Sequence, residues 1–123
     1  MNTNPVGWFE IYVQDMARAK AFYEAVFAAR LDRLPGTEMD MWAFPMAMEK
    51  YGAPGALIHM PGVPSGGGGT LVYFSCADCA IEAARVEAAG GKIAKPKFAI
   101  GQYGFISLVN DTEGNMIGLH SMT

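Results

Sequence analysis

The chain has 123 residues, with 9 Lys and Arg, 12 Asp and Glu, and a formal charge of -3. This length suits one compact domain or two small modules that share a core. The acidic balance excludes the clustered basic surface that nucleic-acid binding needs. With 51% hydrophobic residues, the sequence is too apolar for a disordered chain. Its apolar runs are too short to span a membrane and its N-terminus does not read as a secretory signal, so we expect a cytoplasmic protein without membrane partners.

The first part of the chain predicts one strand, one helix and three short strands. In residues 7–13, apolar side chains alternate with side chains of mixed polarity, as in a strand with one buried face. Asp15 has the character of a helix N-cap, and the Ala-rich segment 17–29 favours a helix that packs back on the strand. Pro and Gly residues divide the segment 31–60 into three short antiparallel strands. We therefore predict a first βαβββ module over residues 1–62.

A Gly-rich segment at 63–69 separates this module from a second one at 70–123. Four successive glycines are costly to order inside a helix or strand, which favours a linker. A strand at 70–76, a cap at Asp78 and a helix at 79–89 then repeat the first pattern. Three further strands are expected at 93–100, 103–109 and 116–120.

Landmarks at nearly constant offsets indicate that the two modules are copies of one unit. Asp78 follows Asp15 by 63 positions. The segment that ends in His59 matches the segment that ends in His120, at an offset of 61. Such regularity favours a duplication.

Two motifs carry a resemblance to a known family. The first is Glu-Ile-Tyr-Val-Gln-Asp-Met-Ala-Arg-Ala-Lys-Ala-Phe-Tyr-Glu-Ala-Val-Phe at 10–27, and the second is the turn Asp111-Thr-Glu-Gly-Asn115. With these motifs in a duplicated βαβββ unit, the chain resembles the vicinal oxygen chelate (VOC) superfamily of glyoxalases, bleomycin resistance proteins and dioxygenases. The resemblance implies an α+β fold in which two tandem βαβββ modules form curved mixed β-sheets around a cleft, with helices outside. It also implies a homodimer.

The metal-binding positions that the resemblance implies hold residues that cannot bind a metal. They are Trp8, Leu57, Leu71 and Gly118. We therefore expect neither the standard metal site nor another cofactor. A divalent metal at a displaced site, held by Glu10, His59 and His120, is the alternative.

The residue at the position of Trp8 points into the cleft in the family. If Trp8 does so too, strand alternation places both polar and apolar side chains on the cleft faces. Glu10 is the candidate catalytic residue, because a carboxylate in an apolar strand needs a partner, water or a function. A structural salt bridge is the alternative for Glu10, and structural hydrogen bonding is the alternative for the histidines. The predicted ligand-binding residues are Trp8, Glu10, Tyr12, Trp42, His59, Tyr73, Tyr103 and His120.

Trp42 enters this set because it lies in a segment rich in Met and aromatic residues, 38–48, which suits either an adaptable ligand surface or packing. Tyr103 follows Gly101 and either closes over the cleft or begins a strand. The pair Cys76 and Cys79 has C-x-x-C spacing, but Asp78 between the thiols opposes their ionisation. We interpret that spacing as incidental.

Three functions remain open at this point. The first is a small-molecule protein of the glyoxalase or bleomycin resistance type that binds an apolar or aromatic ligand without the standard metal, with or without a simple lyase or isomerase step through Glu10. The second is a metal-dependent enzyme similar to lactoylglutathione lyase with a rearranged site. The third is a structural or regulatory dimer without catalysis.

Overall fold

The computed structural model describes residues 3–123, so the first two residues of the predicted first module lie outside the described residues. The chain divides into two compact units. The first unit is Trp8–Thr70, and the second unit combines Leu71–Thr123 with the N-terminal segment that ends at Gly7. None of the helices in residues 3–123 has the length and apolar character needed to cross a membrane.

The first unit contains one helix and a mixed sheet. In chain order its elements are β1 (Val6–Tyr12), α1 (Met16–Phe27), β2 (Asp32–Arg33), β3 (Asp40–Ala43) and β4 (Gly55–His59). Only the part of β1 from Trp8 onward lies within this unit. The strand order is β2-β3-β4-β1, with β4 parallel to β1 and the other pairs antiparallel. The predicted cap is confirmed, since the Asp15 carboxylate accepts from the Arg18 amide at 3.0 Å.

The sheet of the first unit buries apolar residues on both faces. On the face that α1 covers, Val13, Leu31 and Leu57 are buried and contact Met16 and Tyr23 of the helix. On the opposite face, Met41, Ala56 and Ile58 are buried and pack with Trp8 and Tyr12. We call these the helix face and the open face of the first unit. The alternation of β1 assigns each of its side chains to one of the two.

The second unit repeats the same order of elements. These are β5 (Thr70–Ser75), α2 (Cys79–Ala83), β6 (Lys92–Ala99), β7 (Phe105–Asn110) and β8 (Met116–Ser121). The strand order is β5-β8-β7-β6, with β8 parallel to β5. Cys79 and Ala83 of α2 pack on Val109 and Leu119 of the sheet. The predicted α+β class with two βαβββ modules is confirmed.

The second helix is shorter than the sequence predicts. The Ala-rich segment favours a helix to residue 89, but α2 ends at Ala83. Beyond that point the amides of Arg85 and Val86 bond three residues back, to Glu82 and Ala83, as in successive tight turns. The helical propensity of alanine does not extend the helix here because the segment buries little apolar surface.

The Gly-rich segment is folded onto the end of β1. The Tyr12 amide donates to the Gly69 carbonyl at 2.7 Å, and the Gly69 amide donates to Gly66 at 2.9 Å. The Gln14 side chain donates to the Val63 carbonyl at 3.0 Å. Gly66 and Gly68 adopt positive φ angles of 86° and 81°, which a residue with a Cβ adopts only at a cost. The glycines therefore allow this segment to form a compact turn.

Candidate functional site

The open face of the first unit holds a buried carboxylate that two neighbouring side chains orient. Glu10 is 6% exposed and lies in the middle of β1. Its Oε2 accepts from the Trp8 indole N–H at 3.1 Å, and its Oε1 accepts from the Tyr12 hydroxyl at 2.7 Å. The three residues alternate along one strand, so their side chains leave the same face. The prediction that these three side chains share one face of β1 is confirmed.

The phenol of Tyr12 is held in its neutral form by its surroundings. Burial raises the pKa of Tyr12 far above its ordinary value, and the charge of Glu10 and the hydrogen bond to it act in the same direction. A neutral phenol can donate its proton to the carboxylate, whereas a phenolate cannot. The neutral phenol of Tyr12 is therefore available as the donor to Glu10.

Aliphatic side chains surround this hydrogen-bonded group. In the parallel register, Glu10 lies opposite Ala56 of β4. Ala56 and Ile58 are fully buried on the same face, and Met41 of β3 is 6% exposed there. A polar group among such neighbours has its orientation fixed by its hydrogen bonds, because few water molecules compete for it. The group formed by Trp8, Glu10 and Tyr12 is called the Glu10 triad below.

Glu10 lines neither of two surface pockets in the first unit. One, of about 290 Å³, is lined by Tyr12, Gln14, Arg18 and Ser65 among others, where the Gly-rich turn meets the start of α1. The other, of about 310 Å³, lies in the loop that contains Lys50 and Tyr51. The amino-acid sequence alone does not indicate the first pocket, because the pocket exists only when residues 63–69 fold back on β1. We place the candidate site at the Glu10 triad, where the polar groups converge.

Trp42 lies on the helix face and not beside Glu10. Its ring packs with the cluster of Val13, Leu31 and Leu57. Its indole N–H donates to Asp40 at 2.9 Å, and the Lys20 ammonium lies 3.5 Å from the ring centroid. Through these contacts Trp42 connects α1 to the sheet. The structure does not bring it together with the Glu10 triad.

The expectation that His59 shares the face of Glu10 is wrong. Ile58 belongs to the open face and Leu57 to the helix face. Strand alternation then places His59 with Leu57, and in the register it lies opposite Asp40. The displaced metal set of Glu10, His59 and His120 therefore loses one of its members.

A shift of one residue in the comparison of the two modules explains this error. In the first unit Glu10 pairs with Ala56, and in the second unit the matching residue Tyr73 pairs with Gly118. Ala56 and Gly118, the two partners, are 62 positions apart. An alignment of His59 with His120 requires an offset of 61. Ile58, not His59, occupies the place of His120. A slip of one residue moves a side chain to the other face of a strand.

In the second unit, the ring of Tyr73 fills the space beside Gly118. Tyr73 is 6% exposed and belongs to the face opposite α2. A Cβ added at Gly118 would overlap the Cδ1 and Cε1 atoms of the Tyr73 ring. The absence of a side chain at position 118 is therefore a requirement of packing.

His120 lies on the same face as Tyr73 and bonds to the turn before β7. Its Nε2 is 2.6 Å from the carbonyl oxygen of Tyr103, which ends a 3-10 turn at Gly101–Tyr103. Because a carbonyl only accepts, Nε2 carries the proton in this contact. A neutral ring then presents Nδ1 as an acceptor. The structure thus joins His120 to the backbone of Tyr103 and places His120 on the face of Tyr73. All three are predicted ligand-binding residues.

The residues at the family's implied metal positions do not fit a metal. Trp8 and Leu71 stand in the first strands of the two modules, and Ala56 and Gly118 are the matched positions in the last strands. None of these side chains offers a ligand atom, because the indole N–H only donates. Within residues 3–123, no group of three or more His, Cys, Asp or Glu side chains is arranged to hold a metal ion. No chemical step is assigned to a metal here.

Comparison with known protein families agrees with the fold. The profile of the Glyoxalase/Bleomycin resistance protein/Dioxygenase superfamily matches residues 6–119. The chain belongs to this superfamily. A search of curated proteins finds no match.

Several solved structures share the fold at low sequence identity. A hypothetical protein from Bacillus halodurans C-125 has a TM-score of 0.69 at 10% identity, over 96% of this chain and 94% of that one. Methylmalonyl-CoA epimerase from Mycobacterium tuberculosis has a TM-score of 0.67 at 13% identity, over 100% and 93%. A Streptomyces coelicolor methylmalonyl-CoA epimerase has a TM-score of 0.64 at 13% identity, over 95% and 96%. At these identities the likeness shows the fold alone.

Proposed function

We propose that this chain is a small-molecule-binding protein of its superfamily that holds an apolar or aromatic ligand against the Glu10 triad, without the family's metal. One observation carries the proposal: the Glu10 carboxylate is 6% exposed among aliphatic groups and is oriented by donors at 3.1 Å and 2.7 Å. Binding sites combine a few oriented polar groups with an apolar lining. The Glu10 triad of β1 provides the oriented polar groups, and Met41, Ala56 and Ile58 of β3 and β4 provide the apolar lining.

The triad suits a ligand that is largely apolar and carries a hydrogen-bond donor. Trp8 and Tyr12 present large ring surfaces, and such surfaces contribute most to the binding of apolar groups. A carboxylate accepts hydrogen bonds and does not donate them, so the polar part of the ligand must donate a hydrogen bond to Glu10. Because the protein already fixes Glu10, binding does not require ordering of that side chain.

A proton transfer at carbon is the second candidate, and it also depends on Glu10. A carboxylate in an apolar environment can act as a general base when a substrate C–H lies within reach. The structural neighbours include proteins named as methylmalonyl-CoA epimerases, and epimerisation is a reaction of this type. In this candidate Glu10 takes a proton from one substrate carbon and delivers it to a neighbouring substrate atom as the double bond shifts, which regenerates the carboxylate, and Tyr12 keeps the carboxylate in place. The reaction falls in the lyase or isomerase class.

Thermal unfolding with a ligand panel tests the first candidate. Apolar and aromatic compounds with an amine or hydroxyl donor are added to chelator-treated protein, and a binder at 100 times its dissociation constant adds about 2.7 kcal/mol to the free energy of unfolding. We expect Glu10→Gln to lose this stabilisation. Glu49→Gln, on an exposed loop, is the matched control and should retain it.

Each other function predicts a different result in the same experiment. Proton transfer predicts that wild-type protein in D₂O exchanges a carbon-bound proton of a binder and that Glu10→Gln binds without exchange. A metal enzyme predicts stabilisation only when a divalent ion is restored. A structural dimer predicts no stabilising compound at all. Equal stabilisation of wild type and Glu10→Gln contradicts the proposal.

A further inference from the structure

Strand β6 of the second unit contains a bulge that reorients Lys95. Ile93 lies opposite Val109, whose side chain packs on α2. In a regular antiparallel pair, Lys95 would lie opposite Ser107 and share that face. It lies opposite Leu108 instead, one position off, so its side chain leaves the face opposite α2. We call this face the open face of the second unit.

The bulge places a cation beside an aromatic ring on the open face. The fully buried Ser107 hydroxyl donates to the Lys95 carbonyl at 2.8 Å and fixes the irregular backbone. A second register shift places Phe98 opposite Ile106, on the same face as Lys95. The Lys95 ammonium lies 3.9 Å from the centroid of the Phe98 ring, which is a cation–π contact. Bulges that redirect a side chain are enriched next to functional sites.

The positive charge of Lys95 has no acidic partner. None of the ion pairs among residues 3–123 includes Lys95, whereas Lys97 pairs with Asp78 at 2.8 Å. The exposed Lys92, opposite Asn110, adds a second positive charge to the open face. Strands β5 to β8 contain no Asp or Glu, although the chain as a whole is acidic. The open face therefore complements a negative charge.

The size and chemistry of this surface suit a small acid. Phe98, Ile106 and Leu108 are half-buried, so they present a limited apolar area next to the ammonium. A protein partner would need about 800 Å² on each side. One ammonium is a compact point charge without the fork of donors that favours phosphate, so a carboxylate matches it.

We propose that the open face of the second unit binds small carboxylic acids that carry an aromatic ring or an acyl chain. Lys95 holds the carboxylate, and Phe98, Ile106 and Leu108 contact the apolar part. The proposal does not depend on the Glu10 triad, because its residues all lie in the second unit.

Titration by nuclear magnetic resonance with matched acids and amides tests this proposal. The probes are phenylacetate, 3-phenylpropionate and 4-phenylbutyrate, each compared with its uncharged primary amide. At least one acid should shift the amide signals of β6 and β7 with a dissociation constant on the order of 1 mM, and its amide should bind roughly tenfold more weakly. An increase in salt from about 0.05 M to about 0.5 M should weaken binding of the acid and leave the amide unchanged.

Variants of Lys95 separate its charge from its packing. Lys95→Met keeps a long side chain beside Phe98 but removes the charge, so the acid and its amide should bind equally. Lys95→Arg should retain the preference for the acid. Lys50→Met, at an exposed lysine outside the second unit, is the matched control and should also retain it.

A second role of lysine predicts a different outcome. On an edge strand such as β6, lysine opposes pairing with strands of other molecules. That role alone predicts that Lys95→Met self-associates while Lys95→Gln binds the acids as wild type does, and this result overturns the proposal. Equal binding of each acid and its amide to wild type also overturns it, as does the absence of shifts with all three acids up to about 20 mM.

The Glu10→Gln variant distinguishes this proposal from ligand binding at the Glu10 triad. We expect Glu10→Gln to bind the acids as wild type does, because Lys95 and Phe98 belong to the other unit. Failure of either proposal is therefore visible without reference to the other.

Discussion

The ring of Tyr73 lies where a side chain at position 118 would begin. The two residues are direct neighbours in the parallel register of β5 and β8. The resemblance to metal-dependent relatives implies a metal-binding side chain at position 118, and here the packing of an aromatic ring leaves no room for one. The position of the Tyr73 ring and the absence of a side chain at position 118 therefore depend on each other.

Replacement of Gly118 by alanine should destabilise the second unit. The new Cβ meets the Tyr73 ring, and crowding in a packed sheet typically costs about 1–3 kcal/mol. Urea denaturation measures the loss. Gly67→Ala is the matched control, since nothing lies within 4 Å of its added Cβ. Equal stability of the two variants would show that Tyr73 moves aside freely.

The Glu10–Tyr12 hydrogen bond should give a measurable coupling energy between the two side chains in a double-mutant cycle. Its 2.7 Å length and its burial indicate a charge-assisted bond, for which we expect about 1.5–3 kcal/mol. Urea denaturation of Glu10→Gln, Tyr12→Phe and the double variant provides the cycle. The double variant should lose less stability than the sum of the single variants. Additive losses would indicate that the two side chains act independently.

Tyr12 should make the protein sensitive to alkali. Because burial and Glu10 raise the pKa of Tyr12 in the fold, the unfolded chain releases this proton near pH 10 while the folded chain keeps it. The free energy of unfolding should then fall above pH 10 by about 1.4 kcal/mol per pH unit for this group. Thermal unfolding between pH 8 and pH 11 measures the slope. Tyr12→Phe should show a shallower slope, and an identical slope would contradict the assignment.

Cys76 should react slowly with alkylating agents. Burial, together with the charge of Glu82, raises the pKa of this thiol to about 11. At pH 8 its thiolate fraction is then about 100-fold below that of an ordinary thiol. Mass spectrometry of iodoacetamide labelling gives the rate. Glu82→Gln should accelerate labelling several-fold, whereas Glu87→Gln, on an exposed turn, should not.

The alternation of residues and the helix caps were sufficient to predict much of the fold. The caps at Asp15 and Asp78 are local features, and each accepts an amide of its own first turn at 3.0 Å. The grouping of Trp8, Glu10 and Tyr12 also follows from one strand, because its period of two does not depend on the rest of the chain. These predictions rested on short-range rules.

The features that the sequence does not reveal depend on distant residues. The comparison of the modules is out of register by one position between Ala56 and Gly118, so it predicts the wrong face for His59. Nothing in the local sequence of Trp42 indicates its contacts with Lys20 and Asp40 on the helix face. The glycines at 66–69 form a turn against β1 only when Gly69 meets the Tyr12 amide. Register and tertiary contacts determine all three.

The fluorescence of Trp8 gives the most direct test of ligand binding at the Glu10 triad. The chain has 2 Trp, so Trp42→Phe leaves Trp8, whose indole donates to Glu10 at 3.1 Å, as the only Trp reporter. Chelator-treated protein is titrated with the strongest binder from the thermal panel. We predict a saturable change in emission that disappears in the Glu10→Gln variant. A change that requires an added divalent metal, or that persists without the Glu10 carboxylate, would contradict the account.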